Sequence, residues 1–203
     1  MCFVDGVHFV YGAFLGMVWC LQRLFVKTPS GRQRLNVLAA LNAVTHELFT
    51  VHNLTYLTAA TVCELLRLLT GAYPGQPLTL ILDNARYQRC ALVQQEAARL
   101  GIELLFLPPY SPNLNLIERL WKFVKKRCLY GQYYPVYAAF EQAILACLAQ
   151  IPTHYRDELA SLLNLRFQTF QQVPLLEEPS QLGRFPQVES PPRESSKVSA
   201  KAA

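Results

Sequence analysis

The run Leu78-Thr-Leu-Ile-Leu82 is almost wholly apolar and stops abruptly at Asp83. A strand with one wet face alternates apolar and polar residues. A strand without that alternation is covered on both faces, as central strands of parallel sheets are. A second such run, Ile102-Glu-Leu-Leu-Phe-Leu107, follows a helical pattern over Arg89–Leu100 that Gly101 closes, glycine being the residue that takes the left-handed turn at a helix end. Strand, helix and strand in this order predict a parallel crossover and place the chain in the mixed α/β class. Composition agrees: 52% of the 203 residues are hydrophobic and 16% are charged, too apolar for a disordered body.

Further strands are predicted around this unit. Cys2–Asp5 reads as the end of a first strand, Phe9–Leu21 and Leu35–Val44 as two more, and Glu47–Asn53 as a weaker fourth. Thr58–Thr70 carries apolar residues at 62, 65, 66 and 69, the helical period, with Thr58 or Thr61 near its start. Pro108-Pro-Tyr-Ser-Pro112 is a stiff loop. A helix is expected from it, with Ser111 as N-cap and Pro112 in the first position. In that helix Ile117, Leu120, Trp121, Val124 and Cys128 form one apolar stripe, and Trp121 is assigned to packing. Glu118, Lys122 and Lys125 share another face. Two more helices are expected near Val136–Gln150 and Tyr155–Leu163. From Glu177 the chain is rich in proline and serine and poor in large apolar residues. The expected organisation is therefore one domain over residues 1–172 and a disordered Pro/Ser-rich tail over 173–203.

Several classes are excluded. The stretch Phe9–Gln22 is free of charge but has only fourteen residues, two of them glycines, short of the roughly 18–20 apolar residues that a membrane helix needs, and no other segment reaches that length. No basic region precedes the first apolar residues and Asp5 interrupts them, so no signal peptide is expected. The six cysteines and four histidines are scattered without a C-x-x-C pair, which speaks against zinc and for reduced, mostly buried thiols in a cytoplasmic protein. No glycine-rich phosphate loop is present, so no nucleotide cofactor is implied. The net charge is +5, and between Arg86 and Arg127 eight basic residues face three acidic ones. A polyanionic partner fits that placement.

Three carboxylates then stand out. Asp5 sits at the end of the first strand, Asp83 at the carboxyl end of the most buried one, and Glu118 on the helix after the proline loop. If the strands ending at Asp5 and at Asp83 are parallel neighbours, the two acids meet in the crevice at the carboxyl ends of the strands. Acids gathered there repel one another unless cations neutralise them, and hard oxygen donors select ions of the Mg²⁺ kind. Two such ions can clamp the attacking and leaving oxygens of a phosphoryl displacement.

The stretches LTLILDNARYQ and FLPPYSPNLNLIERLWKFVKK resemble the catalytic domain of DDE transposases, specifically enzymes of bacterial insertion-sequence elements related to the mariner-type superfamily. The resembling region runs from Phe3 to about Phe170, and Leu107–Glu118 is its most specific part. The resemblance implies an RNase H-like fold, a mixed central sheet flanked by helices with further helices at the C-terminal side. It implies that Asp5, Asp83 and Glu118 form the catalytic acidic triad, with 34 residues between the last two, and hold two Mg²⁺ (or Mn²⁺) ions. The implied activity is cleavage of double-stranded DNA at transposon ends and transfer of the freed 3′-hydroxyl into target DNA at TA sites. A homodimer in the bacterial cytoplasm, nucleoid-associated when bound to DNA, goes with it.

Other residues are read beside the triad. Arg86, Arg119, Lys122, Lys125 and Lys126 are candidate phosphate contacts, which position DNA without reading its sequence. Asn84 and Asn115 can orient metal-bound water or fix the loop backbone, and asparagine commonly does the latter. Tyr110 is a candidate for base stacking. His8, three residues beyond Asp5, would face the other side of a strand. Family members have proline where this chain has Leu116. They also carry N-terminal helix-turn-helix modules, whereas four residues precede Asp5 here. A truncated regulator that binds DNA or a full-length transposase without cutting, and a general RNase H-like nuclease, are the alternative readings.

Overall fold

The computed structural model describes residues 1–12, 33–109 and 111–167. Five strands form one sheet in the order β3-β2-β1-β4-β5, made of β1 (Cys2–Val10), β2 (Arg34–Asn42), β3 (Leu48–Asn53), β4 (Leu78–Leu82) and β5 (Ile102–Phe106). β1, β2 and β3 pair antiparallel, whereas β4 runs parallel to both β1 and β5. The crossovers supply α1 (Ala59–Ala72), α2 (Arg86–Arg89) and α3 (Ala91–Leu100); α4 (Ile117–Cys128), α5 (Tyr137–Gln150) and α6 (Arg156–Leu162) follow β5.

Each face of the sheet has its own core. On one side Cys2, Val4, Leu80 and Leu82 pack with Val62, Leu65, Leu66 and Leu69 of α1 and with Val93 and Ala97 of α3. On the other, Phe3, Val7 and Phe9 pack with Ile117, Leu120, Trp121 and Val124 of α4 and with Phe140 and Ile144 of α5. The odd residues of β1 thus face α4 and the even ones face α1, as the two-residue strand period requires. The expected stripe on α4 is buried as a unit. Gly101 closes α3 in the left-handed conformation, φ 69°, as its place in the sequence predicts. The cysteines at 2, 63, 90, 128 and 147 are free thiols. No helix among the described residues is long and apolar enough to cross a membrane.

Three expectations need correction. β1 does not end at Asp5. It runs on to Val10 because β2 pairs with it over its whole length, from Cys2↔Asn42 to Val10↔Arg34, and Phe9 belongs to it. The rest of the predicted Phe9–Leu21 strand, from 13 onward, lies outside the described residues, as do Tyr110 and the predicted tail with its boundary at 172. The helix predicted over Arg89–Leu100 is broken at Cys90, which takes an extended backbone (ψ 159°) between α2 and α3.

The third correction concerns α4, which does not start at Pro112. Pro112–Leu114 form a 3₁₀ turn closed by the Leu114 N–H on the Ser111 carbonyl at 3.1 Å. The Ser111 hydroxyl turns back to the Pro109 carbonyl at 3.4 Å instead of capping a helix. Asn115 and Leu116 are buried before the helix begins at Ile117.

Candidate active site

Strand register decides where the acids stand. β1 and β4 pair as Cys2↔Leu80, Phe3↔Ile81 and Val4↔Leu82. Asp5 and Asp83 are the next residues in step, at the carboxyl end of that pairing, and they share the parity of Phe3 and Ile81, which pack on the α4 side. Asp5 therefore sits in the middle of its own strand but at the point where its parallel neighbour ends. The first turn of α4 brings Glu118 to the same place. The three acids line one cleft of about 240 Å³ together with Asn84, Asn115, Ser111 and the Leu107–Pro109 corner.

Local bonds hold two of the acids. Asp5 is 8% exposed, and its Oδ2 accepts a hydrogen bond from the indole N–H of Trp121 at 2.9 Å. Burial pushes its carboxyl up to about 7, with the charges of Glu118 and Asp83 adding to the rise; bonds from the Gly6 backbone and Trp121 oppose it. Asp83 Oδ1 accepts the Ala85 N–H at 3.1 Å, which shapes the turn into α2.

The asparagines brace the walls. Asn84 donates to the Leu107 carbonyl and accepts from Arg89 Nη1 at 3.3 Å, tying the exit of β4 to that of β5. Asn115 donates to the Val4 carbonyl of β1 at 3.4 Å, while its Oδ1 is buried with no hydrogen-bond partner. An orphaned amide oxygen beside three carboxylates is a hard-oxygen donor set, and such sets suit Mg²⁺ or Mn²⁺. In chemical type the residues fit a divalent ion. Among the described residues, however, no group of three or more His, Cys, Asp or Glu side chains is gathered tightly enough to hold one as it stands.

The predicted cations lie outside this cleft. Lys122 and Lys126 are exposed and line a groove of about 750 Å³ between α4 and α6, with Phe123, Arg127 and Glu158. Lys125 is half-buried, and Arg86 is exposed and makes no ion pair among the described residues. Arg119 borders the same groove but is tied down. Its Nη1 donates to the carbonyls of Leu162 and Asn164 at 3.1 and 2.7 Å, its Nη2 to that of Arg166 at 2.8 Å, and its guanidinium stands over Phe167. It satisfies the carbonyl of the last residue of α6 and two carbonyls of the segment just after it, groups that no intrahelical N–H reaches. Arg119→Met is expected to lower stability by about 1–3 kcal/mol, read as a fall in the denaturant midpoint at constant m-value. His8 faces away from the acids, its Nδ1 2.6 Å from Asn36 Oδ1.

Sequence reading missed Trp121 as a member of the site. A buried indole N–H needs an acceptor, and that is the only signal the sequence offered. It does not say that the acceptor is Asp5.

Comparison with known proteins agrees with this architecture. A mixed five-stranded sheet with acids at the end of its parallel pair defines the RNase H-like class. The chain belongs to the DDE superfamily endonuclease family, whose model matches residues 20–141. That span includes Asp83 and Glu118, and Asp5 precedes it. The fold is similar to the Mos1 transposase in its paired-end complex with the left transposon end (TM-score 0.55, 15% identity, 82% of this chain and 56% of that one). The mariner Mos1 paired-end complex with Mg gives a TM-score of 0.55 at 14% identity, covering 84% of this chain and 56% of that one. This chain thus spans little more than half the length of those neighbours. No curated protein matches by sequence.

Proposed function

We propose that the chain is a transposase catalytic domain that cuts DNA strands at transposon ends and joins the freed 3′-hydroxyl to target DNA, with TA as the target step. The observation that carries this reading is the convergence of Asp5, Asp83 and Glu118, from three separate elements, on one cleft. The printed descriptions of the Mos1 neighbours support it: a paired-end complex with a transposon end, a strand transfer complex, and paired-end complexes with Mn and with Mg.

Asp5, Asp83 and Glu118 would hold two divalent ions, Mg²⁺ or Mn²⁺. Such ions lower the pKa of a bound water or hydroxyl and neutralise charge on the phosphoryl group. The protein's own part is to present the acids from a fixed sheet and to keep the Leu107–Pro109 corner packed beside them. No side chain is required as nucleophile.

Lys122, Lys126, Lys125 and Arg86 would contact DNA phosphates, with Arg119 holding α6 in place beside them. Replacing Lys122 and Lys126 together by alanine is expected to weaken binding to all DNA sequences alike. The slope of log affinity against log salt should fall by about 2, measured by fluorescence anisotropy across a salt titration. Two copies of the chain would pair the two ends.

The deciding experiment incubates the full chain and Mg²⁺ or Mn²⁺ with DNA flanking its own gene, with unrelated DNA, and with an RNA–DNA hybrid. Metal-dependent nicking confined to the flanking DNA is the expected result. Preference for the hybrid would instead mean a general RNase H-like nuclease. Binding without nicking, together with inhibition of a full-length transposase, would mean a regulator.

A further inference from the structure

We infer that Trp121 is a positioning residue for Asp5: its indole N–H fixes the carboxylate so that the other oxygen is presented to a metal ion. The inference rests on the reading of the three acids as a metal site. The geometry is specific. Trp121 is 2% exposed, and its Nε1 lies 2.9 Å from Asp5 Oδ2, a bond closed to solvent and spanning 116 positions of sequence. The indole can only donate, and the acceptor is the most buried of the three acids. One carboxylate oxygen is thereby engaged and rotation of the group is restrained.

Trp121 also follows Glu118 by three residues on α4, so the two side chains are neighbours on adjacent turns. A single helix therefore carries one acid of the site and the brace for another. Seating α4 on the sheet sets both at once. Phe9 packs edge-on against the indole, with ring centroids 6.2 Å apart and planes at 83°, which holds the donor in line. Packing alone would be served by any ring of similar size. The N–H aimed at Asp5 is what packing does not explain. Outer hydrogen-bonding partners of metal-ligating groups commonly govern metal affinity by about 10- to 100-fold.

The test uses the full chain. Mn²⁺ affinity, measured by calorimetry without DNA, is expected to fall about 10- to 100-fold in Trp121→Phe, which keeps a ring and removes the donor. An affinity within twofold of the unaltered chain would overturn the inference while leaving the proposed function standing. No Mn²⁺ binding by the unaltered chain would remove the proposed function itself, and the inference with it.

A second measurement decides the matter if Trp121→Phe fails to fold. The chain has two tryptophans, and the indole ¹H–¹⁵N signal that survives Trp19→Phe belongs to Trp121. That signal should move on addition of Mg²⁺ and again in Asp5→Asn. A signal that ignores both changes would mean a packing role only, and the inference would be wrong.

Discussion

Asp83→Asn is expected to reduce metal-dependent nicking by about 10³-fold or more while the protein stays folded and still binds DNA. Stabilisation of charge by metal ions in a phosphoryl displacement is worth several kcal/mol, and each 1.36 kcal/mol is tenfold in rate. The carboxylate at 83 stands at the end of the doubly covered β4, which fixes where a ligand at that position can stand. The fold should tolerate the change, because Asp83 uses one oxygen to accept the Ala85 N–H and asparagine keeps such an oxygen. Non-specific DNA affinity should hold or rise slightly as a negative charge leaves the cleft. A single-turnover nicking assay and an anisotropy titration on the same preparation measure both quantities. Cleavage at the unaltered rate would remove Asp83 from the chemistry.

The second large effect is a dependence of stability on pH that metal should reverse. The Asp5 carboxyl is raised from 3.8 to about 7 in the folded chain, first by burial and then by its acidic neighbours. The folded state therefore holds a proton that the unfolded state has released between roughly pH 4 and pH 7. Stability from this group is greatest at the acid end and is lost as pH rises through the folded value. A displacement of that size corresponds to about 4 kcal/mol, or a fall in melting temperature on the order of 10 °C for a chain of this length.

Divalent metal binds the ionised carboxylate, so Mg²⁺ should raise the melting temperature little at pH 5 and strongly at pH 8. Asp5→Asn should flatten the metal-free profile and abolish most of the metal response. Scanning fluorimetry over pH with and without Mg²⁺ measures this. A metal-free profile identical in the unaltered chain and in Asp5→Asn would contradict the assignment.

The parts of this arrangement readable from the sequence are those whose causes are local. The apolar run at Leu78–Leu82 and the turn at Gly101 need only their own neighbours to be understood, and the stripe from Ile117 to Cys128 repeats at the helical period. The parallel pairing of β1 with β4 is only a condition in the sequence; the sheet supplies it, and with it the meeting of Asp5 and Asp83.

What escaped the sequence depends on remote partners. Gly6 and His8 interrupt the apolar run of β1, and only pairing with β2 reveals its full length. A Cβ at Gly6 would run into Leu57 and stand 2.9 Å from the Tyr87 hydroxyl, so that glycine marks close packing and not a turn. Ser111-Pro112 carries the signature of a helix start, yet its bonds close a 3₁₀ turn, and buried Asn115 just after it reaches back to the Val4 carbonyl, a partner 111 positions away. Arg119 reads as a surface cation until the end of α6 at Leu162, with Asn164 and Arg166 just beyond it, presents three carbonyls to it. The acceptor of the Trp121 N–H was likewise invisible.

The continuation of β1 beyond Asp5 has a mechanical meaning. Paired with β2 from Cys2 to Val10 and with β4 up to Val4, the backbone at Asp5 cannot travel without unzipping a hairpin. It acts as an anvil. Glu118 and Trp121 both hang from α4, whose apolar stripe is seated on the face of the same sheet, so the other half of the tool is held by side-chain packing instead of by strand pairing. Variants that loosen the packing of α4 should therefore disturb Glu118 and the brace on Asp5 together, whereas variants in the paired strands should decide only whether there is a surface to strike.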